Sequence, residues 1–379
     1  MTTNNDRTAN IDQADQTSGA VPGTAGRGRL RKTWDWLDDR MGLSALRYAV
    51  PEHANTFWYT LGGITFMGII ILVVTGIWLA QYYNPDPSGA RESVLFIQNT
   101  APLGDVLRGI HIWTAYLVVI TALLHLGRIF VTASYKAPRE VNWLVGLALL
   151  AALVFGGIFT GTVLRWDQEA YEALAHNMEL ATLLGAFGGF FSEAFTTSVA
   201  ALPRLYIAHV SMVPLILVFL LIAHIFLIKH HGLSPTPAQE DAGEAPGGRL
   251  PEEKETGHYP THLRLMIGYG LVLFALAGTL GVIFPQPIGP APNPGIEVTK
   301  PSWVFYWLYA FEDWLGLNGI LYGAILLFGI LALVPFIDRT PLRSLRSRPV
   351  MLVIGIVLVV ALVVLSLITA FSPVVSHMG

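Results

Sequence analysis

RGIHIWTAYLVVITALLHLGR (108–128) and RLYIAHVSMVPLILVFLLIAHIFLIK (204–229) decide the reading of this chain. Inside their flanking basic residues both stretches are free of charge and long enough to cross a bilayer. Each carries two histidines, His111 and His125 in the first, His209 and His224 in the second. An imidazole in hydrocarbon is costly, so it marks a functional site with a partner to be found. Spacings of 14 and 15 residues correspond to about 21–22 Å of helix, most of a hydrocarbon core of roughly 30 Å. At 3.6 residues per turn the second histidine falls about 40° short of whole turns in one helix and about 60° beyond them in the other. Both members of each pair therefore point to roughly the same side. If the two helices run parallel, His111 faces His209 near one surface and His125 faces His224 near the other.

Two facing imidazoles can supply both axial nitrogens of a low-spin haem, with no position left open for oxygen. The bland alternative for any one of these histidines is a hydrogen-bonded polar residue inside a bundle. Two matched pairs favour haem.

The composition sets the stage. Of 379 residues, 53% are hydrophobic and 13% charged, the balance of an integral membrane protein and not of a soluble enzyme. Seven stretches lack Asp, Glu, Lys and Arg over a spanning length: 57–83, 109–127, 141–164, 205–228, 265–296, 314–337 and 350–379. An eighth apolar run, 180–192, is too short and predicts a helix at the interface. The expected fold is thus an all-α integral membrane protein with about seven transmembrane helices.

Basic residues orient it. Arg27, Arg29, Arg31, Lys32, Arg40 and Arg47 precede the first span; Arg128, Lys136 and Arg139 follow the second; Arg339, Arg343, Arg346 and Arg348 follow the sixth. The alternate connections hold only Arg91 and Arg108, then Arg165 and Arg204, then Lys300. The positive-inside rule places the amino terminus in the cytoplasm and the carboxyl terminus outside. Spans two and four then both run inward, as the histidine pairing requires. A net charge of −3 argues against a nucleic-acid partner, and the absence of cysteine excludes disulfides, iron–sulfur ligation and thioether-linked haem on this chain.

Residues 1–32 read as a disordered cytoplasmic tail without a signal-peptide core. The alternating aromatic and charged residues of 33–48 predict a short surface helix. The Pro-, Gly- and acid-rich stretch 233–263 reads as a flexible cytoplasmic linker. It separates a four-helix di-haem module, 33–232, from a three-helix module, 264–379.

Further strings carry a family resemblance. WYTLGGIT (58–65), YYNP (82–85), RGIH (108–111), KAPREVNW (136–143), LRWDQ (164–168), PRLYIAH (203–209) and KHHG (229–232) resemble the cytochrome b/b6 family of quinol:acceptor oxidoreductases, in family order. The 14/15 spacing resembles the b6 branch, and residues 264–379 resemble the three-helix subunit IV of b6f complexes, here fused to the haem module. The resemblance implies two non-covalent haem b groups on His111/His209 and His125/His224. It also implies a Rieske iron–sulfur protein and a c-type cytochrome or other acceptor as partners, a homodimer of the complex, and a prokaryotic plasma-membrane location. Gly62 and Gly76 match family glycines that let a macrocycle pack on bare helix; Gly146 and Gly161, 15 apart, are softer counterparts. Arg108 and Arg204 occupy family positions near the outer haem, and Arg128 is placed to pair an inner propionate. Lys229, beside His230, stands where an inner quinone site needs a proton donor. Thr60 replaces the cysteine that carries an extra covalent haem in the b6 branch, so no such haem is expected.

One departure matters. The family's Pro-Glu-Trp-Tyr, whose Glu accepts a quinol proton at the outer site, is here KPSWVFYWLYAFEDW (300–314). Pro301 and Trp303 remain; Ser302 and Val304 replace the acid and the phenol. A serine is no proton acceptor near neutral pH, so Asp167, Glu312 and Asp313 become the candidates. Arg165 also stands where the family usually has proline. The expected activity is transmembrane electron transfer between an outer quinol-oxidising and an inner quinone-reducing site, exerted only within a complex. Two rivals remain: a haem b anchor serving a dedicated reductase such as a molybdenum enzyme, and a haem-free transporter whose histidines relay protons.

Overall fold

The computed structural model describes residues 24–374 apart from 186–187, 193–194, 197 and 246–247. The chain divides into two units, one up to Tyr48 and one from Ala49 onward. The first contains α1 (Thr24–Met41), where the Arg40 guanidinium lies 4.4 Å over the Trp36 ring. The helix begins earlier than the expected tail boundary at 32, because Arg29, Leu30, Arg31 and Lys32 are good helix formers. Residues 1–23 of that expected tail lie outside the described residues.

The second unit contains α2 (Phe57–Ala80), α3 (Ala90–Asn99), α4 (Gly104–Val131), α5 (Glu140–Val163), α6 (Gln168–Leu183), α7 (Ala201–His231), α8 (Pro237–Asp241), α9 (Tyr259–Ile283), α10 (Tyr306–Leu315), α11 (Asn318–Ile337) and α12 (Pro349–Phe371). Seven are long and apolar enough to cross a membrane: α2, α4, α5, α7, α9, α11 and α12. A two-residue ladder, β1 (Ala49–Val50) against β2 (Gly257–His258), is antiparallel with Ala49 opposite His258.

The expected boundaries shift for identifiable reasons. The fifth stretch was expected to run to 296, but α9 stops at Ile283 because Pro285, Pro287 and Pro290 cannot continue a helix. The sixth, expected from 314, breaks at Gly316, whose φ of +63° ends α10 in a conformation glycine adopts freely. The seventh ends at Phe371, two residues before Pro373, and 375–379 lie outside the described residues. The run 180–192 is no helix of its own: it straddles the end of α6, whose start is capped by Asp167 accepting from the Ala170 N–H. Residues 186–187 of that run are also outside the described residues.

α2, α4, α5 and α7 surround an apolar plug of Ile69, Val118, Leu149, Leu153 and Leu217, each buried by helices that no hydrophobic effect drives together inside lipid. Close packing does that work instead. α9 fits against both α2 and α4, and where it crosses α4 a Cβ on Gly109 would lie 3.2 Å from the Gly281 backbone. The stretch 233–263, expected to be flexible, is held. A Thr236/Gln239 capping box starts α8, Arg139 Nη2 donates to the Gly232 and Gly248 carbonyls, and Arg343 pairs Glu240 at 3.0 Å. Buried guanidiniums need acceptors, and this Pro/Gly-rich strand supplies its carbonyls.

Candidate functional site

Four glycines of α2 and α5 receive the four histidine rings of α4 and α7. A Cβ added at Gly62 would lie 2.9 Å from His125 Cε1, at Gly76 3.3 Å from His111 Cε1, at Gly161 3.1 Å from His209 Cε1, and at Gly146 3.6 Å from His224 Cε1. Each ring thus lies against bare helix backbone. Ring centroids of His111 and His209 are 6.3 Å apart with planes at 69°. A metal bonded to one nitrogen of each imidazole at about 2.0 Å requires roughly that separation. His125 lies within electrostatic reach of His224. The apolar plug separates the two levels.

The unequal spacings, 14 and 15, have a structural cause. In α5 the turn Ala152–Ile158 is π-helical, and in α7 the turn Ala208–Met212, which contains His209, is too. A π turn accommodates one extra residue. It absorbs the fifteenth residue between Gly146 and Gly161 and again between His209 and His224, so both faces stay in register with the 14-residue spacings of α2 and α4. Pro214, which has no N–H for the helix ladder, follows the π turn of α7.

His111 and His209 are oriented by threonines. Thr75 Oγ1 donates to the Ile71 carbonyl at 2.7 Å and Thr160 Oγ1 donates to the Gly156 carbonyl. A hydroxyl has one proton, so each can only accept from its imidazole: Thr75 from His111 Nδ1 at 2.9 Å, Thr160 from His209 Nδ1 at 2.8 Å. Both rings are thereby Nδ1–H tautomers with the Nε2 lone pair free, the form a metal needs. Among the described residues no hydroxyl meets Nδ1 of His125 or His224. Reading the sequence missed these threonines, although the repeated Thr75-Gly76 and Thr160-Gly161 is a visible signal.

Among the described residues no three His, Cys, Asp or Glu side chains converge as a metal-ion site. Ligands that meet in twos suit an iron that brings its own equatorial nitrogens, as haem does. Arg108 donates to Gln98 Oε1 and the Gln286 carbonyl, both at 2.7 Å, while its Nη2 has no hydrogen-bond partner. At the other level Arg128 lies 4.6 Å over the Tyr59 ring with its Nε unpartnered. Buried guanidinium donors without a hydrogen-bond partner at each level fit a carboxylate-bearing macrocycle. Arg204 is committed to the Phe190 and Ser192 carbonyls. Lys229 closes α7 with His230 and His231.

Beside the His111/His209 level lies an apolar cavity of about 140 Å³ lined by Phe155, Phe159, His176, Pro301, Ser302 and Tyr309 among others. Apolar cavities of about 150 Å³ take a single aromatic ring. Trp303 is outside it, 43% exposed and against Tyr116. Of the three candidate acids, Asp167 is occupied as a cap: its oxygens accept from the Ala170 and Gly289 N–H groups, with Arg165 at 3.4 Å. Arg165 is also 2.5 Å from Glu169. Asp313 lines a smaller opening with Glu297 and Lys300. Glu312 is fully buried, 3.0 Å from His176 Nε2, and Glu297 is 3.1 Å from the same nitrogen. His176 was not anticipated from sequence, since its carboxylates lie more than a hundred residues away.

A second network ties the KAPREVNW loop to the last two spans. Tyr135 Oη donates to Asp338 at 2.6 Å, Arg348 Nη1 lies 3.2 Å from Asp338 and Lys136 Nζ 3.2 Å from it. Burial alone raises the Asp338 carboxyl, but hydrogen bonds from Thr340, Tyr135 and Lys136 hold it below the usual range.

The family model described as Cytochrome b/b6/petB matches residues 46–232, and that described as Cytochrome b(C-terminal)/b6/petD matches 294–377. The chain is 34% identical over 331 residues to a cytochrome bc complex cytochrome b subunit of Chlorobaculum thiosulfatiphilum, covering 83% of this chain and 74% of that one. It is 34% identical over 221 residues to the menaquinol:cytochrome c reductase cytochrome b subunit of Geobacillus thermodenitrificans, over 54% of this chain and 98% of the relative. Its fold resembles a chain of a hyperthermophilic respiratory Complex III, with a TM-score of 0.72, 24% identity and coverage of 89% and 91%. With seven spans and both family regions in order, this chain is a multi-pass membrane protein of the cytochrome b/b6 family, the family of the cytochrome b subunits of bc-type quinol oxidoreductase complexes.

Proposed function

We propose that the chain is the di-haem subunit of a quinol-oxidising complex of the bc type, carrying electrons between an outer quinol-oxidation site and an inner quinone-reduction site. The observation that carries this reading is the pairing of four imidazoles with four glycines on two levels. His111 and His209 would hold the outer haem and His125 and His224 the inner one. Haem supplies one-electron redox chemistry, which the protein tunes through ligand orientation and burial. The chain's own part is to orient the Nε2 lone pairs through Thr75 and Thr160, to offer Arg108 and Arg128 to anionic substituents, and to exclude water with the apolar plug. The cavity at Pro301 and Ser302 would take the quinol ring, and the Lys229 end of α7 would serve the inner quinone.

The Geobacillus relative is named a menaquinol:cytochrome c reductase cytochrome b subunit, which supports a quinol donor and a partner chain leading to a c-type cytochrome. A Rieske iron–sulfur protein would take the first electron, and the complex would be a homodimer in a prokaryotic plasma membrane, amino terminus inside. The test is a reduced-minus-oxidised spectrum with a haem count per polypeptide. Two haem b per chain, falling to one in His125→Ala or His224→Ala, is expected. No α-band, or unchanged pigment in those variants, refutes the reading.

A further inference from the structure

Ser302 leaves the outer cavity without the carboxylate that would deprotonate a quinol, yet the same cavity wall presents a titratable group from another element. His176 lines the cavity, and its Nε2 points away from its own helix between Glu297 and Glu312. Its other nitrogen is fixed, since Nδ1 lies 2.8 Å from the Glu172 carbonyl and can only donate there. Glu297 in turn lines the second, smaller opening with Thr299, Lys300 and Asp313, while Tyr309 and Pro301 border both spaces. Cavity, imidazole, carboxylate and opening thus form a continuous series.

We propose that His176 takes the proton of a hydroquinone bound in this cavity and passes it to Glu297, which releases it through the second opening, replacing the acid that Ser302 lacks. This rests on the quinol-oxidising reading above. The arrangement is built for it. Three side chains at the start of α6 grip the backbone of the 284–302 loop. Asp167 accepts from Gly289 N, Gln168 accepts from Asn293 N at 2.6 Å, and Glu172 accepts from Val298 N and Thr299 N at 2.9 and 3.0 Å. The last pair fixes Glu297, the residue before Val298, against His176 one turn along the same helix.

The step balances as follows. At rest the imidazole holds two protons, Nδ1–H on the Glu172 carbonyl and Nε2–H between the two carboxylates. The Nε2 proton passes to Glu297 Oε1, 3.1 Å from the nitrogen, freeing the lone pair. The hydroquinone O–H bond then breaks toward Nε2, and its electron pair stays on the ring oxygen. The imidazolium is restored and Glu297 loses its proton to water at the opening. The hydroquinone gives up its two protons in two such turns, one electron leaving with each to the one-electron iron acceptors of that reading. Glu312, wholly buried, is a positioning residue: its fixed charge holds the imidazolium. Burial alone would depress this histidine, but the hydrogen bond and charge of Glu312, the Glu172 carbonyl and Glu297 raise it to about 9. The groups facing His176 are Glu172 on its own helix, Glu297 on the loop, and Tyr309 and Glu312 on α10.

The experiment uses membranes holding the whole complex, with duroquinol as donor, haem b reduction as readout, and His176→Gln, Glu297→Gln and Glu312→Gln as variants. General-base contributions run to roughly 10²–10⁴-fold. His176→Gln and Glu297→Gln are expected to slow duroquinol oxidation at least 100-fold with haem content unchanged. Glu312→Gln is expected to move the acid limb of the pH profile to lower pH, a change that a purely structural glutamate would not produce. Normal rates in His176→Gln and Glu297→Gln, with wild-type haem content and an unshifted profile in Glu312→Gln, overturn the proposal while leaving the di-haem reading intact. If wild-type membranes contain both haems but do not oxidise duroquinol, the quinol-oxidising reading and the proposal fall together.

Discussion

Adding one methyl group at Gly62 should evict the inner haem, whereas adding one at Gly146 should not. Both glycines face the same histidine pair, so the comparison isolates the contact. An alanine Cβ at Gly62 would meet His125 Cε1 at 2.9 Å, Nε2 at 3.2 Å and Nδ1 at 3.4 Å; at Gly146 it would meet only His224 Cε1, at 3.6 Å. Ordinary carbon contacts lie at about 3.5–4.0 Å, so the His125 ring must retreat by roughly 0.6 Å or more. Metal–ligand distances tolerate only about 0.2 Å. Overpacking of this kind costs about 1–3 kcal/mol, and at about 1.4 kcal/mol per decade that weakens haem binding by roughly 5- to 100-fold. Haem per polypeptide, measured by pyridine haemochrome at limiting haem, together with the α-band of dithionite-reduced membranes, reads the result. Equal retention in Gly62→Ala and Gly146→Ala would refute the steric reasoning.

The other expectations concern orientation, register, stability and pH. Thr75→Val and Thr160→Val each strand a buried Nδ1–H, and losing an orienting partner of a metal-bound histidine typically costs about 10–100-fold in affinity; the outer α-band should weaken while the inner one persists. Deleting Gly157, which has open space around its Cβ position, should turn the π turn of α5 into α-helix and keep both haems. Deleting Ile69 in α2, where no π turn lies between Gly62 and Gly76 to absorb the loss, should instead rotate Gly62 out of register and lose pigment. Asp338→Asn leaves Arg348 and Lys136 buried with an uncharged partner, and breaking such a pair costs about 3–5 kcal/mol; thermal loss of the Soret band in detergent should come several degrees earlier. For His176 the folded pKa, about 9, exceeds the 6.5 of an ordinary imidazole. Its stabilisation is therefore complete below about pH 6.5 and is lost as the pH rises through about 9, on the order of 3 kcal/mol in all. Melting temperatures from pH 6 to 10 should show that decline, and Glu312→Gln should flatten it.

How much was legible depended on the reach of each signal. The two histidine pairs, Gly62 and Gly76 announce themselves because hydrocarbon makes a polar residue or a regular glycine spacing conspicuous within one helix. Thr75 and Thr160 were equally local but passed unread, since a threonine in a membrane helix is unremarked until its hydroxyl is seen to give its proton to a carbonyl. His176, Glu297 and Glu312 form a different case. No periodicity relates residues on a surface helix, a proline-broken loop and a short helix more than a hundred positions on. The contacts of the linker are illegible for a related reason: its composition predicts reach, while Arg139 and Arg343, which hold it, lie elsewhere in the chain.

The sequence by itself determined the solvent, the spans and the two histidine levels, because each follows from hydropathy or spacing inside one contiguous segment. Tertiary structure alone decided two things. It showed that a π turn in each of two helices reconciles a 15-residue spacing with a 14-residue one, which depends on how backbone hydrogen bonds slip under packing. It also brought the His176 imidazole between two carboxylates at the apolar cavity, because an ion cluster drawn from three elements exists only once α6, the 284–302 loop and α10 have closed on one another.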